Sequence, residues 1–195
     1  MSRYQSAFIR LVADLRALQL SWALVGGMAV SVRARPRTTE DIDIAIAVRG
    51  DREAEKVALS FRSLGYPYLP EHALEQTELE RLATVRLAFP GGEERGVVLD
   101  LLFASSGIEP EIVAAAGAEE VLPGILIPVA RTGHLVALKV LAGREIDVRD
   151  ARWLWEVADE GERQRARDSL ALITLRRFNR SKDLAAELAR LLAAA

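Results

Sequence analysis

The sequence predicts an α/β (α+β) fold: a mixed, partly antiparallel sheet flanked by helices, followed by a C-terminal helical region. Three observations carry that expectation. Period-two runs rich in Ile and Val, above all "DIDIAIAV" (41–48), alternate in the first half of the chain with segments at helical spacing. "LATVRLAF" (82–89) and "GVVLDLLF" (96–103) are strand-like runs joined by "PGGEER", a turn signal that implies an antiparallel hairpin. From Thr132 onward every segment reads as helix.

The elements follow in order. Tyr4, Phe8, Leu11, Val12, Leu15 and Leu18 fall at helical spacing and define a first amphipathic helix. "SWALVGG" is a short apolar run ending in two glycines, hence a strand and a turn, and "MAVSVRA" fits a short helix. "RPRTTE" connects to the strand 41–48, and residues 51–64 read as a helix ended by Gly65. After the hairpin come a helix over 109–117 and a strand over 124–129. Helices are expected over 133–142, 147–159, 163–176 and 181–194, with Asn179 and Ser181 as caps before the last. The expected organisation is a catalytic core over 1–130 and a helical region over 131–195 packed on it.

Composition narrows the function classes. Half of the 195 residues are hydrophobic and 28% are charged, as in an ordinary globular protein. With no cysteine there is neither a disulfide framework nor a thiolate metal site. Neither a signal peptide nor a spanning apolar run is read, so a soluble cytoplasmic protein without membrane contact is expected. A net charge of −2 argues against a strongly basic nucleic-acid binder, though not against a local patch.

The chemistry concentrates in the acids. Asp41 and Asp43 stand two apart on a strand, so they share a face while Ile42 and Ile44 point to the core. Two carboxylates on one face repel unless a cation lies between them, and magnesium takes one or two carboxylates plus phosphate oxygens. Asp100 is the lone charge in "VVLDLLF"; if its strand neighbours 41–48 it becomes the third ligand of a two-ion site, the usual apparatus of phosphoryl or nucleotidyl transfer. The competing reading makes Asp100 a buried acid paired with an arginine, a serious alternative in a chain with 23 of them.

Around the acids lie groups suited to phosphate. Gly26 and Gly27, between a strand and a helix, let backbone N–H groups approach an anion. Arg33, Arg35 and Arg37 could neutralise a triphosphate, with at least one read as a solvated loop residue, while Thr38 and Thr39 fix the turn into the strand. Lys139, among apolar helix neighbours, can reach a phosphate as a point charge. Arg144, Asp147, Arg149 and Asp150 follow at helix-surface spacing, equally readable as a salt-bridged junction. His134 is expected to be a cap or surface residue.

Taken together, "LVGGMAVSVRARPRTTEDIDIAI" and "VVLDLLF" resemble the DNA polymerase beta-like nucleotidyltransferase superfamily, with thirteen residues between Gly27 and Asp41. "LVALKVLAGREIDVRDA" looks like the corresponding segment of the AbiEii-type toxin nucleotidyltransferases. The resemblance covers roughly residues 20–155. It implies metal-dependent transfer of a nucleoside monophosphate from an NTP to an acceptor hydroxyl, with pyrophosphate release. By position, it assigns Asp41, Asp43 and Asp100 to the metals (two Mg²⁺, with Mn²⁺ as a substitute). It assigns Gly26, Gly27, Arg37, Thr39 and Lys139 to the nucleotide, and Arg144, Asp147 and Asp150 to support. Gly27 stands where many active members carry Ser, removing one phosphate hydrogen bond. The resemblance implies tRNA or another macromolecule as acceptor and an antitoxin as partner, with the helices after residue 155 on the acceptor side. The alternatives are a small-molecule nucleotidyltransferase like those that inactivate aminoglycosides, and a non-catalytic nucleotide- or partner-binding relic.

Overall fold

The computed structural model describes residues 3–39, 41–69, 74–76, 81–90 and 97–193. Among these, the strands are β1 (Trp22–Val25), β2 (Asp41–Ile46), β3 (Leu74–Gln76), β4 (Leu82–Ala88), β5 (Val98–Leu102), β6 (Gly117–Leu122) and β7 (Ile125–Val129). The helices are α1 (Arg3–Ala17), α2 (Gly26–Arg33), α3 (Asp51–Ser63), α4 (Glu109–Ala115), α5 (Thr132–Ala142), α6 (Glu145–Val157), α7 (Glu160–Leu175) and α8 (Leu184–Ala193). The strands make one mixed sheet in the order β3-β4-β5-β2-β1-β7-β6. β2 runs parallel to β5 and β1 parallel to β7; the other neighbours are antiparallel.

The centre of the sheet goes to the most apolar runs. All four residues of β1 are buried, and Ile42 and Ile44 of β2 are fully so, while Asp41 and Asp43 on the opposite face are partly open. That alternation follows from the pleat. Phe8, Leu11 and Leu15 of α1 are fully buried, which accounts for its helical spacing. α3 stops where Gly65 takes a left-handed φ of 90°, cheap only for glycine. α5 is buried along nearly its whole length between α6 and α7, and hydrophobic all round as such a helix must be.

The structure departs from the sequence expectations in four places. Two edge strands were not foreseen: β3 has three exposed residues, and β6 ("GAEEVL") carries two glutamates that mask its alternation. α2 begins at the glycines themselves, so Gly26 opens the helix instead of preceding it. The cap of α8 is Asp183, whose Oδ1 accepts from Ala186 N–H at 3.0 Å; Asn179 donates instead to Lys182 O at 2.8 Å. His134 is buried, not at the surface, and burial followed by the charge of Arg165 pushes its pKa down to about 4. β4 and β5 pair antiparallel as a hairpin would, while turn residues 91–96 lie outside the described residues.

Candidate active site

β2 and β5 place the carboxylates. Their register sets Asp43 opposite Asp100 and Asp41 opposite Val98. Parallel neighbours lie about 4.8 Å apart, so Asp43 and Asp100 stand side by side on one face, with Asp41 two residues along it. Their proximity is electrostatically costly: burial, then the charge of Asp100, pushes the Asp43 carboxyl up from 3.8 to about 6, against the opposing pull of Lys139 and the Gly27 N–H. Asp100 itself is held by Arg86 of β4, its cross-strand partner, in a bidentate pair at 2.8 and 2.6 Å. The arginine alternative weighed for Asp100 is therefore present, and the carboxylate still stands beside Asp43.

The glycines seat the acids. A Cβ at Gly26, whose φ is +64°, would lie 1.8 Å from Asp43 Oδ2, so both conformation and space require glycine. Gly27 donates its N–H to Asp43. A Cβ at Gly27 would lie 2.1 Å from Arg37 Nη2 and 2.9 Å from Thr39 Oγ1. A serine cannot share that place with Arg37: the guanidinium fills the space and brings its own N–H donors there. Thr39 braces the turn by donating to Asp41 O at 3.2 Å.

Of the three arginines before β2, only Arg37 packs against the glycine turn. Arg33 is spent on the carbonyls of Val129 and Ala130 and on Glu119, and Arg35 on Glu156 and the Trp153 ring. Arg37 is no solvated loop residue, being tucked against Gly27 with Nε 3.3 Å from Asp150.

Behind the glycines runs an alternating chain of charges. Asp150 faces both Arg37 and Lys139, at 3.3 and 3.0 Å; Lys139 Nζ also meets Asp147 at 2.7 Å, and Asp147 holds Arg144 Nε at 2.6 Å. Both aspartates are fully buried. Lys139 nevertheless lines the cleft, donating to Asp147 and standing in an ion pair with Asp150. The salt-bridged-junction reading of this segment describes its contacts.

The cleft itself, about 450 Å³, is lined by Gly26, Asp43, Arg86, Asp100, Lys139 and Arg144, among others. Three contributors were not singled out from sequence. Arg86 is a lone charge in an apolar strand, as Asp100 is, and aligning the two strands as a hairpin would have paired them. Tyr4 of α1 donates to Asp41 O at 3.3 Å, and burial, then Asp43 and Asp41, push its phenol up to about 12. Arg180, from the α7–α8 connection, had no sequence signal.

Among the described residues no three acidic or imidazole groups are gathered as a ready-made metal cluster, so the expected three-carboxylate assembly is not preformed; Arg86 has drawn the Asp100 carboxylate to itself. Asp43 and Asp100 still stand side by side, and the charge of Asp100 adds to burial in raising the Asp43 carboxyl. Each carboxylate oxygen keeps a lone pair beyond its present partner. That fits Mg²⁺, which takes one or two carboxylates and fills its sphere with phosphate and water.

The family model of the nucleotidyl transferase AbiEii toxin, of type IV toxin–antitoxin systems, matches residues 10–194. No curated protein sequence matches the chain. The solution structure of the antibiotic-resistance factor ANT(2'')-Ia is similar in fold, with a TM-score of 0.58 at 14% identity over 90% of this chain and 94% of that one. ANT(2'')-Ia in complex with adenylyl-2''-tobramycin aligns with a TM-score of 0.52 at 17% identity, over 89% and 98%. The lincosamide antibiotic adenylyltransferase LnuA aligns at 0.48 and 17% identity, over 78% and 97%.

Proposed function

The chain belongs to the nucleotidyl transferase AbiEii family, and on that premise we propose that its cleft moves a nucleoside monophosphate from an NTP to a hydroxyl of a macromolecular acceptor, tRNA foremost. The acceptor oxygen attacks the α-phosphorus, the bond from that phosphorus to the bridging oxygen breaks, and pyrophosphate leaves. The observation that carries the reading is the register of Asp43 against Asp100 beneath a glycine turn too tight for any side chain.

The roles follow from position. Gly26 lines the cleft without a side chain, so triphosphate oxygens can approach the first turn of α2, where Asp43 and Arg37 already stand against the glycines. Arg37, Lys139 and, at the rim, Arg144 neutralise those oxygens, while Asp147 and Asp150 keep the cations in place. Thr39 holds the turn. Asp43 and Asp100, with Asp41 on the same face, would hold Mg²⁺, which when bound polarises the α-phosphate and offsets the developing charge. Asp100, oriented by Arg86, aligns the attacking hydroxyl and takes its proton. The family also supports a toxin role with an antitoxin partner.

Incubation with Mg²⁺, each of four α-³²P-labelled NTPs and total RNA tests this. The reading expects label on RNA from the wild type and none from the Asp41→Asn/Asp43→Asn double variant. Equal labelling by both refutes it; label recovered only on a small-molecule acceptor supports the aminoglycoside-type alternative.

A further inference from the structure

The connection between α7 and α8 carries an unusual backbone. Arg177, Arg180 and Ser181, none of them glycine, take left-handed φ values of 65°, 52° and 58°. Such conformations persist only where the surroundings over-determine them, and they concentrate at ligand clamps. Here the surroundings do so at both ends. Arg176 grips Glu111 through both guanidinium nitrogens at 3.0 and 2.6 Å, and Phe178 packs so closely on Gly107 that a Cβ there would lie 2.4 Å from its ring. Lys182 Nζ donates to Leu141 O and Ala142 O at 2.7 and 3.1 Å.

The pinned strap delivers two guanidinium groups to the mouth of the cleft. Arg180 lines the cleft that holds Asp43 and Asp100, and also a second cavity of about 300 Å³ that shares Glu75 and Ser105 with it. Arg177 and Phe178 line that second cavity, where Glu75 is the one acid among the lining residues. Arg180 spends one nitrogen on Ser105 O at 3.2 Å; Arg177 is exposed and makes no side-chain bond among the described residues. The topology sets the direction. The glycine turn follows β1, on one side of the acids, whereas the second cavity lies over β4 and β3, on the other. An NTP with its triphosphate on α2 leaves this cavity to the acceptor.

We propose that Arg177 and Arg180 form a phosphate clamp for a single-stranded polynucleotide acceptor. Two cations with an aromatic wall are the usual means of holding such a strand, and a cavity of this size admits one strand, not a duplex. The same pair of charges repels a polycationic small molecule. The direction of the cleft rests on the nucleotidyl-transfer reading given above; the clamp is tested without turnover.

Binding of a fluorescein-labelled single-stranded oligoadenylate to the full chain is followed by anisotropy over a range of salt. Arg177→Ala removes a side chain that holds no structure, so a loss is not a folding defect. It should weaken binding about three- to tenfold and flatten the log–log salt slope by about 0.7; adding Arg180→Ala should roughly double that flattening. For Arg177→Ala, which lies outside the cleft that holds the acids, affinity for ATP with MgCl₂, by calorimetry, should stay within about twofold. A wild type that does not bind the oligonucleotide, unchanged binding by Arg177→Glu, or a loss of ATP affinity in place of oligonucleotide affinity each overturns the clamp. If label transfer fails while Arg177→Glu abolishes oligonucleotide binding, the clamp stands and the enzymatic reading falls. If transfer persists with oligonucleotide binding unchanged by Arg177→Glu, the reverse holds.

Discussion

Asp43→Asn should make the metal-free protein more stable, not less, at neutral and alkaline pH. The Asp43 carboxyl is raised from 3.8 to about 6 by burial and by Asp100. The folded state therefore binds the proton more tightly than the unfolded chain, and stability falls as pH rises between those two values. Above about pH 6 the full penalty is present, and at 1.36 kcal/mol per pKa unit its ceiling is about 3 kcal/mol. Asp43 is only partly buried at the cleft floor, so solvent screening brings the expected gain to about 1–2 kcal/mol. Asn keeps the shape and can still accept the Gly27 N–H while removing the charge. Urea denaturation across the acid range is the assay: the variant should exceed the wild type near pH 8 and converge with it near pH 4. Millimolar Mg²⁺ should raise the wild-type midpoint and leave that of the variant almost unmoved. A variant less stable than the wild type near pH 8, or an unchanged pH profile, would refute the claim that burial and the neighbouring Asp100 penalise a charge on Asp43.

Three further outcomes follow from the contacts. Arg86→Met strips Asp100 of its partner; since Arg86 is about a third exposed, the loss should be about 1–3 kcal/mol in urea, with lower transfer activity. Lys139→Met leaves Asp147 and Asp150 buried without their shared cation, which should cost about 3–5 kcal/mol by the same measurement. Gly27→Ala drives a Cβ into Arg37 and should displace it from Asp150, so a double-mutant cycle with Arg37→Ala should show coupling of about 0.5–3 kcal/mol, the double variant being no worse than Arg37→Ala alone.

Legibility in the sequence followed chemistry and pattern. The alternation in "DIDIAIAV" revealed both the strand and the shared face of Asp41 and Asp43, because the pleat leaves no other choice. The lone acid of "VVLDLLF" was readable as a problem of burial, but its solution, Arg86, depends on a strand register that only the hairpin sets. Gly27 read as a missing serine; that Arg37 occupies its side-chain space is a matter of packing between positions ten apart. Edge strand β3 escaped notice because its exposed residues have no apolar face to announce it, and β6 because two glutamates mask its alternation. Arg180 and the strap were invisible for a different reason: left-handed arginines arise from anchoring contacts to α4 and α5, not from turn residues.

In the proposed reaction Asp43 and Asp100 hold a divalent ion against an NTP seated on the Gly26–Gly27 turn. A crystal structure with Mg²⁺ and a non-hydrolysable NTP analogue measures it directly. The expected result is a metal held by Asp43, Asp100 and the triphosphate, with the phosphates over the start of α2 and near Lys139. A nucleotide bound elsewhere, or bound in the cleft with no metal at the two carboxylates, would contradict it.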